Sequence, residues 1–134
     1  MGDRACVIFH DTYGISPTAY LHWHGDQVPE ILRELAGYMT GRYGDAEYAA
    51  ARFVGLCHRR IGGTLSLGIM RNDLCLADLA DAAALEALSP GDAGLVAVDT
   101  GDFTWTAHGG YLAAPHPGPA ASPLTLVKPS TPND

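Results

Sequence analysis

The chain has 134 residues, 47% of them hydrophobic, with 15 acidic residues against 8 basic ones and a formal net charge of −7. That length is one domain by default, the apolar fraction is enough for a core, and no apolar run approaches the ~20 residues of a membrane span. The excess of acid disfavours direct contact with a phosphate backbone and leaves a basic partner surface open, although the acids are scattered and acidity also serves solubility.

Met1-Gly2-Asp3-Arg4 leads straight into a strand, so no signal sequence is expected. Arg4 to His10 alternates, with Ala5, Val7 and Phe9 on one face and Arg4, Cys6, Ile8 and His10 on the other. Asp, Gly, Ser and Pro between residues 11 and 17 predict a turn. Thr18 to His24 reads as the returning strand. A register that pairs Ala5 with Trp23, Val7 with Leu21 and Phe9 with Ala19 stacks the apolar residues on one face. Trp23 is then a core residue. The other face carries Tyr20, His22 and His24 and is expected to stay open.

Asp26 is the expected N-cap of a first helix, with Pro29 in its first turn and Val28, Ile31, Leu32, Leu35 and Met39 at helical spacing. Gly41 and Gly44 end it. Asp45 caps a second helix whose stripe is Ala46, Ala49, Ala50, Phe53, Val54 and Cys57. His58, Arg59 and Arg60 complement its C-terminal dipole, and Gly62-Gly63 stops it. Thr64 to Met70 alternates with Leu65, Leu67 and Ile69 inward. Asp78 to Leu88 predicts a shorter helix, stopped at Ser89-Pro90-Gly91. Leu95 to Asp99 and Phe103 to His108 are strands around Asp99-Thr100-Gly101-Asp102.

The order β-β-α-α-β-α-β-β predicts an α+β domain over residues 1–113, an antiparallel sheet with helices packed on one face. Residues 114–134 are rich in Pro, Ala and Ser, and their expected state is a disordered tail that contributes little to stability. Cys6, Cys57 and Cys75 are widely spaced and odd in number, which fits neither a disulfide framework nor a zinc ribbon. Reduced thiols in a cytoplasm are the simpler expectation.

Four features carry potential chemistry. His22 and His24 on one strand face could chelate a metal, with Cys6 opposite His22 as a third ligand and His10 or Asp26 completing the shell. No HExxH, CxxC or carboxylate cluster accompanies them, and a half-exposed sheet face of His and Tyr is the plainer reading, so no cofactor is expected. Asp99-Thr100-Gly101 after Leu95-Val96-Ala97-Val98 resembles the active-site motif of aspartic proteases, yet a single copy needs a dimer, and Asp-Thr-Gly-Asp is an ordinary hairpin turn. Cys57-His58 are adjacent on a helix and do not face each other, while Ser66 and Ser89 lack a GxSxG setting, so no catalytic residue is assigned. Finally, Tyr20, His22 and His24 on an open face could anchor a protein partner.

Residues 5–25, with a Val-Ile-Phe strand, a turn and Tyr20-x-His22-Trp23-x-Gly25, resemble the opening of small proteins of bacteria and phages that read Y-R-H-W-D-G-Y-P before their first helix. Ala50-Ala51-Arg52-Phe53-Val54 and the C-terminal strand pair are similar as well, so the resemblance spans residues 5–112. This chain departs from the pattern at Leu21, His24 and Asp26, and its 74–90 helix and proline-rich tail are additions. The resemblance implies an α+β fold and a phage or mobile-element setting, without catalytic residues. The resulting expectation is a non-enzymatic protein-binding module, concretely an inhibitor of bacterial antiviral defence of the anti-CRISPR type. It would occlude the basic, nucleic-acid-binding surface of a host protein or nucleoprotein complex through Tyr20, His22, His24, Asp11 and Asp26. The alternatives are a His-based metal protein or metalloenzyme, and a structural or assembly protein acting as a homodimer.

Overall fold

A computed structural model describes residues 2–61 and 67–113. The fold is α+β, with a five-stranded mixed sheet in the order β3-β2-β1-β4-β5. The strands are β1 (Ala5–His10), β2 (Thr18–Leu21), β3 (Gly68–Met70), β4 (Gly94–Asp99) and β5 (Thr104–His108), and the helices are α1 (Val28–Ala36), α2 (Ala46–Ile61) and α3 (Ala82–Ala87). Three of the four pairings are antiparallel, as expected. The fourth, β1 with β4, is parallel and runs from Ala5↔Gly94 to His10↔Asp99. No helix among the described residues is long and apolar enough to cross a membrane. The expected tail at 114–134, the Gly62-Gly63 stop and the Leu65 core position lie outside the described residues.

The parallel pair explains why Ala5 to Phe9 and Leu95 to Val98 are apolar almost without interruption. A strand in a parallel pair must be covered on both faces. Ala5, Val7 and Phe9 face a core shared with α1 and α2, in which Phe9 packs against Phe53 at 5.6 Å between ring centres and Phe103 at 6.4 Å. Cys6 and Ile8 belong to a second buried cluster with Leu85 of α3, Leu95 and Ala97. Helices therefore cover both faces of the sheet, not one, and the face expected to be open is closed at Cys6 and Ile8.

The first hairpin is shifted by two residues from the expected register, with Ala5 opposite Leu21, Cys6 opposite Tyr20 and Val7 opposite Ala19. A shift of two keeps each side chain on its face, so the apolar side survives intact. Its cause is the turn. Asp11 accepts the N–H groups of Tyr13 and Gly14, closing the chain by residue 14, and His10 bridges to Ile15. Pro17 has no N–H for the ladder; the Ser16 N–H donates to the Phe9 carbonyl instead, at 2.8 Å, and the buried Ser16 hydroxyl accepts the Phe9 N–H at 3.0 Å.

On α1, Val28, Ile31, Leu32 and Leu35 are fully buried, as their spacing predicts; the helix ends at Ala36 with Gly37 as its C-cap, before Gly41, and Met39 is buried in the turn that follows. Asp26 is not the N-cap: it sits inside a 3-10 turn, Gly25–Gln27, and Gln27 takes the cap position. Asp45 does cap α2, accepting the Tyr48 N–H at 3.0 Å. The expected Asp78–Leu88 helix is broken into a 3-10 turn, Leu76–Ala80, and α3, because the Asp81 carboxylate accepts the N–H groups of Ala83 and Ala84 and starts the second piece anew. Of the expected Thr64–Met70 strand, Gly68–Met70 pairs with β2 and Ile69 is exposed; residues 64–66 lie outside the described residues.

Asp11 joins two elements. One oxygen holds the turn and the other accepts the Ala46 N–H at 2.9 Å, at the start of α2. Burial pushes its carboxyl up, but the three N–H donors outweigh that and carry it below the ordinary value. We expect Asp11→Ala to cost about 2 kcal/mol in urea denaturation, the upper end of a helix-cap loss. The carboxylate's folded pKa lies below its unfolded one, so its stabilisation is present at neutral pH and is lost as the pH falls through the depressed value. Wild type and Asp11→Ala should therefore converge in stability in acid; a constant gap down to pH 2 would contradict the charge-based cap.

Candidate functional site

The end of the sheet where β1 begins and β2 ends gathers the most chemistry. The Asp3 N–H donates to the His22 carbonyl at 2.8 Å, and the Asp3 carbonyl accepts the Gly25 N–H at 2.8 Å. One Asp3 carboxylate oxygen takes the Asp26 N–H at 3.1 Å and the other the Tyr111 hydroxyl at 2.7 Å. Arg4 pairs with Asp92 through its backbone N–H and its Nε, at 3.0 and 2.9 Å. Partial burial, the bond to Asp3 and the fields of Asp3, Asp26 and Asp92 push the Tyr111 hydroxyl upward, so it stays protonated and donates. The arginine's hydrogen bonds and charge hold the Asp92 carboxyl below its ordinary value.

β2 stops at Leu21, and this decides the geometry of the histidines. Tyr20, half-buried, is hydrogen-bonded to His22 Nδ1 at 2.9 Å. The His22 ring meets Trp23 edge-on at 5.1 Å. His24 turns into the left-handed region at φ 67°, exposed, with Gln27 Nε2 at 3.4 Å from its Nδ1. His22 and His24 are therefore not neighbours on one strand face. Cys6 lies opposite Tyr20 rather than His22, buried, with its thiol pushed up to about 11 by burial. Among the described residues, no group of three or more His, Cys, Asp or Glu side chains is placed to hold a metal ion.

Trp23 is the principal correction. It was expected in the core and is 45% exposed. The strand ends two residues short of it, and Gly25 then passes so close to β1 and β4 that a Cβ there would stand 2.6 Å from the Asp3 carbonyl and 2.9 Å from Ala93 Cβ. The chain must turn at 22–24 to let Gly25 through, and the turn lifts Trp23 outward. The core tryptophan is Trp105, on β5.

The expected binding residues thus divide. Tyr20, His22, His24 and Asp26 come together at one end. Asp11 lies at the far end of β1, roughly 20 Å away by strand rise, and is engaged at the start of α2. Asp3, Arg4, Asp92 and Tyr111 complete the end of the sheet; local sequence reading misses them because only the parallel β1–β4 pairing brings them there. The Asp-Thr-Gly segment is a hairpin loop in which Asp99 accepts the Gly101 N–H at 2.9 Å and the fully buried Thr100 donates its hydroxyl to the His10 carbonyl at 2.8 Å. Beside it His10 and Asp99 line a hollow of about 240 Å³; burial holds the His10 imidazole below its ordinary value despite Asp99, Asp11 and Asp102. Cys57 and Cys6 are buried and Cys75 is exposed, all as thiols.

Comparison with known protein families, curated proteins and solved structures gives no match to this chain.

The two tryptophans should respond oppositely to truncation. Trp23→Ala is expected to leave the unfolding free energy within about 1 kcal/mol, whereas Trp105→Ala should cost about 3–5 kcal/mol as a core deletion. Thermal and chemical melts of the two variants, side by side, check the placement.

Proposed function

We propose that this chain is a non-enzymatic protein-binding module and that its contact surface is the open end of the sheet around Trp23. The observation that carries this reading is an exposed tryptophan held in place by its neighbours: Trp23 on His22, His22 on Tyr20. An anchor of that kind loses little rotamer freedom on binding, and aromatic anchors dominate interface energies. The groups around it are acidic. Asp26 presents an exposed carboxylate, and Asp3 and Asp92 sit beside it, tied to Tyr111 and Arg4. Such a surface fits a basic partner and steers it electrostatically.

The partner follows from that chemistry and from the resemblance of residues 5–112 to proteins of phages and mobile elements. It is a host protein or nucleoprotein complex of the cytoplasm whose basic, nucleic-acid-binding face the acidic end of this chain covers. The concrete form is an inhibitor of bacterial antiviral defence of the anti-CRISPR type, acting by occlusion. Cofactors and catalytic residues play no part in such a mechanism.

The test is binding to a purified RNA-guided defence complex, followed by biolayer interferometry. Trp23→Ala should weaken binding by 2 kcal/mol or more, about 30-fold, at unchanged melting temperature. Asp26→Lys should slow association and flatten its salt dependence. An interaction that both variants leave intact would move the interface elsewhere; a partner surface that proves acidic would end the occlusion reading.

A further inference from the structure

The acidic composition conceals a different surface on the far side of α1 and α2. Five of the chain's seven arginines, Arg33, Arg42, Arg52, Arg59 and Arg60, lie on these helices and the loop between them. Tyrosines interleave with three of them. The Arg42 guanidinium lies over the Tyr48 ring, 4.1 Å from its centre. The Arg52 guanidinium lies 5.1 Å from the Tyr38 ring and 5.5 Å from the Tyr48 ring, and its Nε donates to the Tyr48 hydroxyl at 3.0 Å. Tyr38, beside Arg59, holds that guanidinium above its ordinary pKa together with Glu34. The result is a ladder, Arg42–Tyr48–Arg52–Tyr38–Arg59.

Its two ends are satisfied and its middle is not. Arg42 has Asp45 at 3.2 Å, Arg59 has Glu34, and Arg60 beside it has Glu30 and Glu34 at 3.1 and 3.0 Å. Arg52 has no carboxylate partner among the described residues, and its two Nη groups carry no hydrogen bond there. A guanidinium fixed by two rings with its fork open is shaped for a bidentate oxyanion.

We propose that the Tyr38–Arg52–Tyr48 face is a second docking surface, which takes an aspartate or glutamate side chain of an acidic protein segment on the Arg52 fork. The charge balance favours a carboxylate-bearing protein over a nucleic acid. Five arginines against Glu30, Glu34, Asp45 and Glu47 leave the patch at +1, in a chain of −7, whereas holding a phosphate backbone relies on several uncompensated cations. The half-exposed Tyr38 and the exposed Tyr43 supply apolar contact around the ion pair, in keeping with the Arg and Tyr enrichment of protein interfaces. This inference is independent of the Trp23 surface.

The experiment is a ¹⁵N NMR titration of the full chain, reading the Arg52 Nε–Hε signal and the α2 amides. The probes are acetylated hexaglutamate amide and, separately, the oligonucleotide dT12. Hexaglutamate is expected to shift Arg52 and the Tyr38 and Tyr48 amides selectively, leaving Arg71 on the other side of the sheet unmoved. Arg52→Ala should weaken the peptide about tenfold or more, and Arg52→Lys nearly as much, because lysine keeps the charge but loses fork and stacking. The unchanged amide pattern of Arg52→Lys away from the ladder verifies the fold. Stronger binding of dT12 than of hexaglutamate would make this a nucleic-acid surface and overturn the proposal. So would peptide affinity that survives both Arg52 variants, shifts spread equally over all arginines, or no shift at millimolar peptide.

Discussion

The structure depends on β1 being buried on both faces. One strand of six residues serves two cores at once, because it pairs with β2 on one edge and β4 on the other while helices cover it above and below. The antiparallel partner comes from an adjacent turn and is local. The parallel partner arrives some ninety residues later, after α1, α2 and α3, so it is the pairing that joins the two ends of the described chain. Non-local pairings of this kind are entropically costly to close and are stabilised by the burial they complete. Here that burial includes Phe9, Val96 and Val98 on one face and Ile8, Leu95 and Ala97 on the other.

The same pairing builds the candidate site. Asp3 and Arg4 precede β1, Asp92 precedes β4, and Tyr111 follows β5, so parallel alignment sets all four at one end of the sheet. Their polar bonds are then compelled by the close passage of the chain. Gly25 leaves no space for a side chain between Asp3 and Ala93, and the segment before it, His22 to His24, has to turn outward. The exposure of Trp23 is thus a consequence of core packing rather than a loop accident, and the chain holds it out at little entropic expense.

Short-range signals carried well into the structure. The apolar stripe of α1, most of that of α2 (Leu56 is buried and Val54 only partly so), the Asp45 cap and the division of β1 into two faces appear where their spacing puts them, because each is decided within a few residues. What was not legible falls into two kinds. Tertiary partners are one: nothing local distinguishes a β1 face that is open from one that α3 covers, although the unbroken apolar run at Leu95 to Val98 was compatible with double burial. Turn chemistry is the other. Asp11 closing on Gly14, with Pro17 unable to donate, displaced the register by two and shortened β2. In that register β2 ends at Leu21, which leaves His22, Trp23 and His24 beyond the strand, in the segment that the close passage of Gly25 turns outward. The Tyr48–Arg52 spacing of four residues was readable as one helix face, but its junction with Tyr38 and Arg42 needed the loop geometry.

Net charge is a poor guide to either surface. The −7 total averages over an end of the sheet with Asp3, Asp26 and Asp92, an α3 side with Asp73, Asp78, Asp81 and Glu86, and an α1–α2 side with most of the arginines. The α3 side and the α1–α2 side lie on opposite faces of the sheet, about 20 Å apart at one layer of packing each. That exceeds the Debye length of about 10 Å at 0.1 M salt, so a partner at one face is influenced chiefly by the charges of that face. A chain arranged this way can present acid and aromatic groups to one protein while holding guanidiniums toward another. Exclusion of nucleic acid from its overall charge alone is therefore too blunt an argument; it is the near-neutral balance within the arginine face itself that points that face toward a protein.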